Sequence, residues 1–264
     1  MIATLPVGLS RNGQILTQVD VAVPTGAMLR QTRDNFLSNK RRQLYLDLAK
    51  AAITKIDGLG TPTESDILSM YMVDVEFVYY TLALLDCAGK KPELSHTCPH
   101  CGNVFKREYD LEKVRVARLG DEGFDTPFDN PERAAPFVLS KPVTGIDADD
   151  LDRGYTRGKV GLMSFGDWLD ITCPKKTEIR GIGTVQSESL VRGIIELGPD
   201  WRNTGRVAVL DKMPTCDIKT IEKVYNGERP GVKPDTEVEC PRCERTFDVF
   251  GFDWVTDFFV SSAV

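Results

Sequence analysis

Between residues 14 and 23, Leu16 is followed by Val19, Val21 and Val23, the last three spaced two apart as in a half-buried strand. Pro24-Thr25-Gly26 then turns the chain. From about Ser38 to Ile56 the period changes to that of a helix, carried by Leu44, Leu48, Ala51, Ala52 and Lys55, and Asp57-Gly58 ends it. Lys40, Arg41 and Arg42 fall in its first turn, where they oppose the helix dipole and read as a solvated face. Thr63-x-x-Asp66 has the form of a capping box and predicts a short helix reaching Met70. Asp74 is expected to cap a third helix, Val75 to about Asp86. Its Val75, Phe77, Val78, Tyr79, Tyr80, Leu82, Leu84 and Leu85 make it apolar almost all round. That stretch is too short to span a bilayer, so it is expected in the core of the first half, with a partner surface as the other reading.

The later pattern is less regular. Val104 to Leu111 reads as a strand continued by Val114–Val116. Residues 120–136 are rich in Gly, Pro and Asp and mark a linker, giving a first half over 1–119 and a second over 137–264. Phe137–Leu139 reads as a strand, Ser187–Leu197 as a helix, and Arg206–Leu210 as an apolar ordered stretch. The run from Asp147 to Asp152 lacks the Gly and distal Glu of a calcium loop and is expected to start a helix. Asp217 is expected to cap Ile218–Tyr225, which Asn226-Gly227 stops.

An internal repeat links these halves. Asp74 precedes Cys98 by 24 residues and Asp217 precedes Cys240 by 23. Each time the order is Asp, helix, loop, short strand, a Cys-Pro-x-Cys knuckle, strand and Phe (Phe105, Phe247). Two residues between thiols let both sulfurs of one turn reach the same ion. Cys98, Cys101, Cys240 and Cys243 therefore make a tetrahedral zinc-ribbon-like site with four protein ligands. A single shared zinc is favoured over two sites, because His96 and His100 are the only histidines and neither is near the second knuckle in sequence. A site within the first knuckle would have to borrow His96, His100 or Cys87. The shared site closes a loop of 138 residues (102 to 239). The closure entropy beyond that of a short finger is about 2 kcal/mol, far below the ~10–16 kcal/mol that structural zinc supplies. Cys87, Cys173 and Cys216 read as buried thiols. Gly102 follows the first knuckle but Glu244 follows the second, at a cost of about 1 kcal/mol if that position needs a positive φ.

Composition narrows the function. The chain has 264 residues, 41% hydrophobic and 27% charged, with a net charge of −6, which speaks against a nucleic-acid binder. No apolar run reaches membrane-spanning length, and MIATLPVGLS has neither a basic n-region nor an apolar h-region. A reducing cytoplasm is the expected setting, with metal ligation rather than disulfides for the knuckles. Gly154–Val160 falls one residue short of a phosphate loop and lacks its Ser/Thr, and Gly181-Ile182-Gly183 begins a dinucleotide pattern that fails at Gln186. No catalytic residue, small-molecule substrate or enzymatic activity is expected.

The order of VDVAVPTGAML, the Asp74 helix, CPHCGNVFKREYDL, Pro230-Gly231-Val232 and VECPRCERTFDVFGFDWVTDFF resembles the baseplate hub-assembly proteins of contractile-tailed bacteriophages. The resemblance covers about two-thirds of the chain and is weak over 120–200; Glu244 departs from the usual glycine. It implies a non-enzymatic tail protein, made in the host cytoplasm, that builds or forms part of the baseplate or hub, the relation of such proteins to the finished virion being variable. Its partners would be other baseplate, hub or tape-measure proteins, with no nucleic acid. The resulting expectation is an α+β protein of two weakly repeated halves joined at one structural zinc. Phe77–Leu85 and the aromatic end (Trp254, Phe258, Phe259) are its candidate partner surfaces. A rubredoxin-like iron electron carrier and a zinc-ribbon nucleic-acid module are the alternatives.

Overall fold

The computed structural model describes residues 1–173, 189–201, 206–227, 229–234, 237–249 and 253–260. Helices and short antiparallel strands form an α+β fold that divides into two compact units. The first comprises Met1–Ile67, Val73–Ala117 and Gly231–Val264; the second comprises Leu68–Met72 and Arg118–Pro230. The segment from Gly231 thus belongs with the N-terminal residues, whereas the sequence boundary grouped it with 137–230.

In the first unit, β1 (Ile2–Arg11) returns through Asn12-Gly13 into β2 (Gln14–Val21). Both turn residues have positive φ, +50° and +76°, as a two-residue hairpin with the right twist requires. β3 (Ile53–Ile56) pairs with the other side of β2, so the sheet order is β1-β2-β3. The register of β1 slips between Thr4 and Leu9. At that bulge the Val7 and Gly8 amides donate to the buried Asp74 carboxylate at 2.8 and 3.0 Å. Gly8 has φ +92°, and a Cβ there would lie 2.8 Å from Ile15 Cγ2 and 2.9 Å from the Leu16 carbonyl, so only glycine fits.

Two helices separate β2 from β3. α1 (Gly26–Leu37) starts at Thr25, whose hydroxyl accepts from the Met28 amide. α2 (Arg41–Ala52) buries Leu44, Leu48, Ala49 and Ala52. The expected helix to Ile56 stops four residues early: Ile53 and Lys55 pair with Val21 and Asp20 instead. β-branched Ile53 and Thr54 suit that exchange. α3 (Glu64–Ser69) has its capping box, Asp66 accepting from the Thr63 amide and hydroxyl at 2.9 and 2.6 Å. α4 (Met72–Cys87) begins ahead of Asp74, which lies in the first turn and accepts from the β1 amides of Val7 and Gly8.

α4 is core. Val75, Phe77, Val78, Tyr79, Tyr80, Leu82 and Ala83 are all buried. The aromatic end is core as well: Trp254, Phe258 and Phe259 are 2%, 4% and 3% exposed. Trp254 packs edge-on to Tyr80 and stacks on Phe258, each at 5.2 Å between ring centroids. Leu84 and Leu85, at the end of the candidate stretch, are half-buried. No helix among the described residues is long and apolar enough to cross a membrane.

The second unit repeats the plan. β7 (Ala134–Val143), β8 (Tyr155–Gly161) and β9 (Ile194–Glu196) form an antiparallel sheet in that order. β7 slips register between Val138 and Val143, and at this bulge the Ser140 amide donates to buried Asp217 at 2.7 Å. α5 (Phe165–Thr172), capped by Ser164, and a helical stretch over 189–193 lie between β8 and β9. α6 (Arg206–Leu210) and α7 (Thr215–Gly227) follow. Asp217 is the third residue of α7, as Asp74 is of α4.

Three expectations change here. Residues 120–136 are not a free linker: Phe128 is fully buried in the second unit's core beside Phe137 and Trp201, and Ala134–Pro136 already belong to β7. Asp147–Asp152 starts no helix; the Asp147 carboxylate instead accepts from the Asp149 amide and the Tyr155 hydroxyl, closing a turn. The helix expected over 187–197 gives way at Ile194 to β9, and 187–188 lie outside the described residues.

Candidate metal centre

Each knuckle sits at the tip of a two-stranded ribbon in the first unit. β4 (Glu93–Thr97) pairs with β5 (Val104–Glu108), and β11 (Glu237–Glu239) with β12 (Thr246–Asp248). Between them in sequence, β6 (Arg115–Ala117) pairs with β10 (Gly231–Lys233) and brings the second ribbon's strand entry to the first unit. The tips share one hydrogen-bond pattern. Cys98 N donates to Asn103 O and Gly102 N to Cys98 O, while Cys240 N donates to Arg245 O and Glu244 N to Cys240 O. Gly102 and Glu244 both take positive φ, +69° and +57°, so the left-handed geometry is imposed even where no glycine is present.

The two tips face each other. Cys98 Sγ lies 3.7 Å from Cys243 Sγ, and Cys101 Sγ lies 3.6 Å from Cys240 Sγ. All four sulfurs fall within 4.8 Å of one another. A tetrahedral ion with sulfur bonds of about 2.3 Å spaces its ligands by about 3.8 Å, so the cage fits a zinc-sized ion. Below it Phe105 and Phe247 meet edge to face at 6.3 Å, and the Arg107 guanidinium donates to the Glu237 carbonyl at 2.6 Å. The ribbons are therefore joined by packing and a hydrogen bond as well as by the sulfurs.

Backbone donors point at the cage. The His100 amide donates to Cys98 Sγ at 3.4 Å, and the Asn103 side chain lies 4.0 Å from Cys240 Sγ. Burial opposes ionisation of Cys240, but the Arg242 and Cys243 amides and the adjacent thiols outweigh it and hold the group down at about 6. At Cys101 the Asn103 amide favours the thiolate, yet burial and the three other sulfurs push the group up to about 12. Four sulfurs this close resist sharing negative charge, and a divalent cation would relieve that.

The remaining candidates stand apart. His96 is buried with its ring Nε2 2.8 Å from the Tyr109 hydroxyl, and occupies the ribbon position filled by Val238 in the other copy. His100 contributes its amide from an exposed position. Cys87, Cys173 and Cys216 lie outside the cluster, and among the described residues no other Cys, His or carboxylate group has metal-site geometry. Gly154–Val160 runs into β8 rather than a phosphate loop; a Cβ on Gly158 would lie 2.4 Å from Phe137. Gly181–Gly183 lies outside the described residues. The donors Asn103 and Arg107 carried no sequence signal, because cross-ribbon neighbours cannot be read from spacing. No protein-family model, curated protein or solved structure matches this chain.

Proposed function

We propose that Cys98, Cys101, Cys240 and Cys243 hold one structural zinc ion per chain. We further propose that the protein is a non-enzymatic structural or assembly component of a contractile phage tail baseplate or hub. The observation that carries the metal reading is the four-sulfur cage, with cross-ribbon spacings of 3.6 and 3.7 Å close to a zinc tetrahedron's edge. Four protein ligands leave no open position for water or substrate, which suits a fastening rather than a reaction centre. The baseplate reading is supported by the ordered sequence resemblance around both knuckles. Its partners would be other tail and baseplate proteins, met in the host cytoplasm during assembly and retained in the virion tail.

Elemental analysis of the purified wild type beside Cys240→Ser tests the metal. One zinc per chain, lost in the variant, is expected; iron with a visible colour would instead favour the electron-carrier alternative. Quantitative mass spectrometry of assembling and finished tail particles tests the role. Presence at fixed stoichiometry with baseplate proteins is expected, and absence from both kinds of particle would remove the baseplate assignment.

A further inference from the structure

We infer that the four-cysteine centre is a peroxide-responsive lock. Oxidation expels the metal and leaves two disulfides that run from one ribbon to the other, Cys98–Cys243 and Cys101–Cys240. The expelled ion rests on the zinc reading above; the pairing rests on the sulfur geometry alone.

Two observations set the course of the reaction. Cys98 and Cys240, the first cysteine of each knuckle, are 1% and 0% exposed, whereas Cys101 and Cys243 are half-buried. An oxidant from solution therefore meets Cys101 or Cys243 first. Within a cluster whose four sulfurs all lie within 4.8 Å of one another, Cys101 has buried Cys240 at 3.6 Å and Cys243 has buried Cys98 at 3.7 Å, both across the ribbons. Closing either cross-ribbon pair to a disulfide length of about 2.05 Å needs an approach of about 1.6 Å.

The chemistry balances with hydrogen peroxide as the oxidant. An exposed thiolate attacks the peroxide, a sulfur–oxygen bond forms, the oxygen–oxygen bond breaks and hydroxide leaves, giving a sulfenic acid. The buried thiolate opposite attacks that sulfur, the disulfide forms and hydroxide leaves. Each thiolate pair gives up two electrons and reduces one peroxide to two hydroxides, which take protons from solvent to become two waters. With its thiolates consumed, the cation loses its ligands and departs. A chelator, by contrast, removes the metal and leaves no covalent link. If the protein rides on a particle that leaves a reducing cytoplasm, oxidation would preserve the ribbon junction that metal loss alone would weaken.

The test uses the full-length wild-type chain as purified. Hydrogen peroxide is added, zinc release is followed with a chromophoric chelator, and the product is digested without reduction for peptide mapping. Expected are zinc release in step with cross-ribbon disulfides, reversal by dithiothreitol, and, in a brief alkylation pulse, labelling of Cys101 and Cys243 ahead of Cys98 and Cys240. Disulfides within a knuckle, Cys98–Cys101 or Cys240–Cys243, overturn the inference. So do sulfinic acids without disulfides, and so does a centre that keeps its thiols unchanged. A chain that carries no zinc defeats the metal reading separately, while its peptide map still decides the pairing.

Discussion

Glu244 and Gly102 hold the same place in their knuckles, both in the left-handed region, and an added Cβ at Gly102 meets nothing within 4 Å. Backbone strain alone then separates them. Gly102→Ala is expected to lower stability by about 1 kcal/mol and Glu244→Gly to raise it by up to about 1 kcal/mol, measured by urea unfolding of the metal-loaded chain. Shifts of the same sign would mean that the side chains, not φ, decide the turn. Asp217 makes a second residue-scale case. The Ser140 amide, aided by its hydroxyl, the Lys141 amide and the Lys141 charge, holds the Asp217 carboxyl below its ordinary 3.8 against the opposing effect of burial. A depressed folded value adds stability that is complete above 3.8 and fades as pH falls through the folded value. Asp217→Asn, which keeps an acceptor for the Ser140 amide but replaces a charge-assisted hydrogen bond by a neutral one, should cost about 1 kcal/mol at neutral pH. The gap to wild type should narrow below 3.8 in unfolding curves recorded against pH.

Among the elements, the short closing helix-like segment from Asp253 carries more weight than its length suggests. Trp254, Phe258 and Phe259 are buried, and the Asp253 carboxylate accepts from the Tyr45 hydroxyl at 2.6 Å while binding the Val255 and Thr256 amides. Trp254→Ala is expected to cost about 3–5 kcal/mol, and deletion from Asp253 onward to abolish cooperative thermal unfolding. A truncated chain that melts as sharply as wild type would return these aromatics to the surface. The bulged strands show what sequence does and does not reveal about elements. Asn12-Gly13 turns β1 back into β2, and the sequence pattern, read as a strand only from residue 14, did not predict β1. The partners of Asp74 and Asp217 were not legible either. An Asp in the first turn of a helix looks like local capping, and only a strand brought alongside turns it into a receptor for amides that a bulge has released.

At the scale of the whole molecule, the four-cysteine cluster lies within the first unit, and the zinc proposed for it would fasten a ribbon that is already anchored elsewhere. Chelation should therefore loosen the ribbons without releasing the chain end. In hydrogen exchange, amides of 93–108 and 237–248 are expected to lose protection on metal removal, while those of Trp254–Phe259 keep theirs through the Tyr80 and Tyr45 contacts. Loss of protection across both regions together would show that the metal holds the entire C-terminal segment. The duplication also becomes clear at this scale. A bulged first strand, a hairpin partner, a third strand reached through helices, and an Asp on a later helix that returns to the bulge occur in each unit.

The sequence by itself determined the local terms: the knuckle cysteines, the Asp–helix–knuckle order that repeats, β2, the capping box of α3, and the core character of α4. Spacing within a few residues expresses these directly, because a turn or a helical face is a short-range object. Tertiary structure decided where β-branched residues leave a helix to pair with a strand, as at Ile53, and that Phe128 is core rather than linker. It also decided that the last ribbon packs with the first unit. Those outcomes depend on contacts between residues far apart in the chain, where local propensity is outweighed by burial and by the need to satisfy each backbone amide.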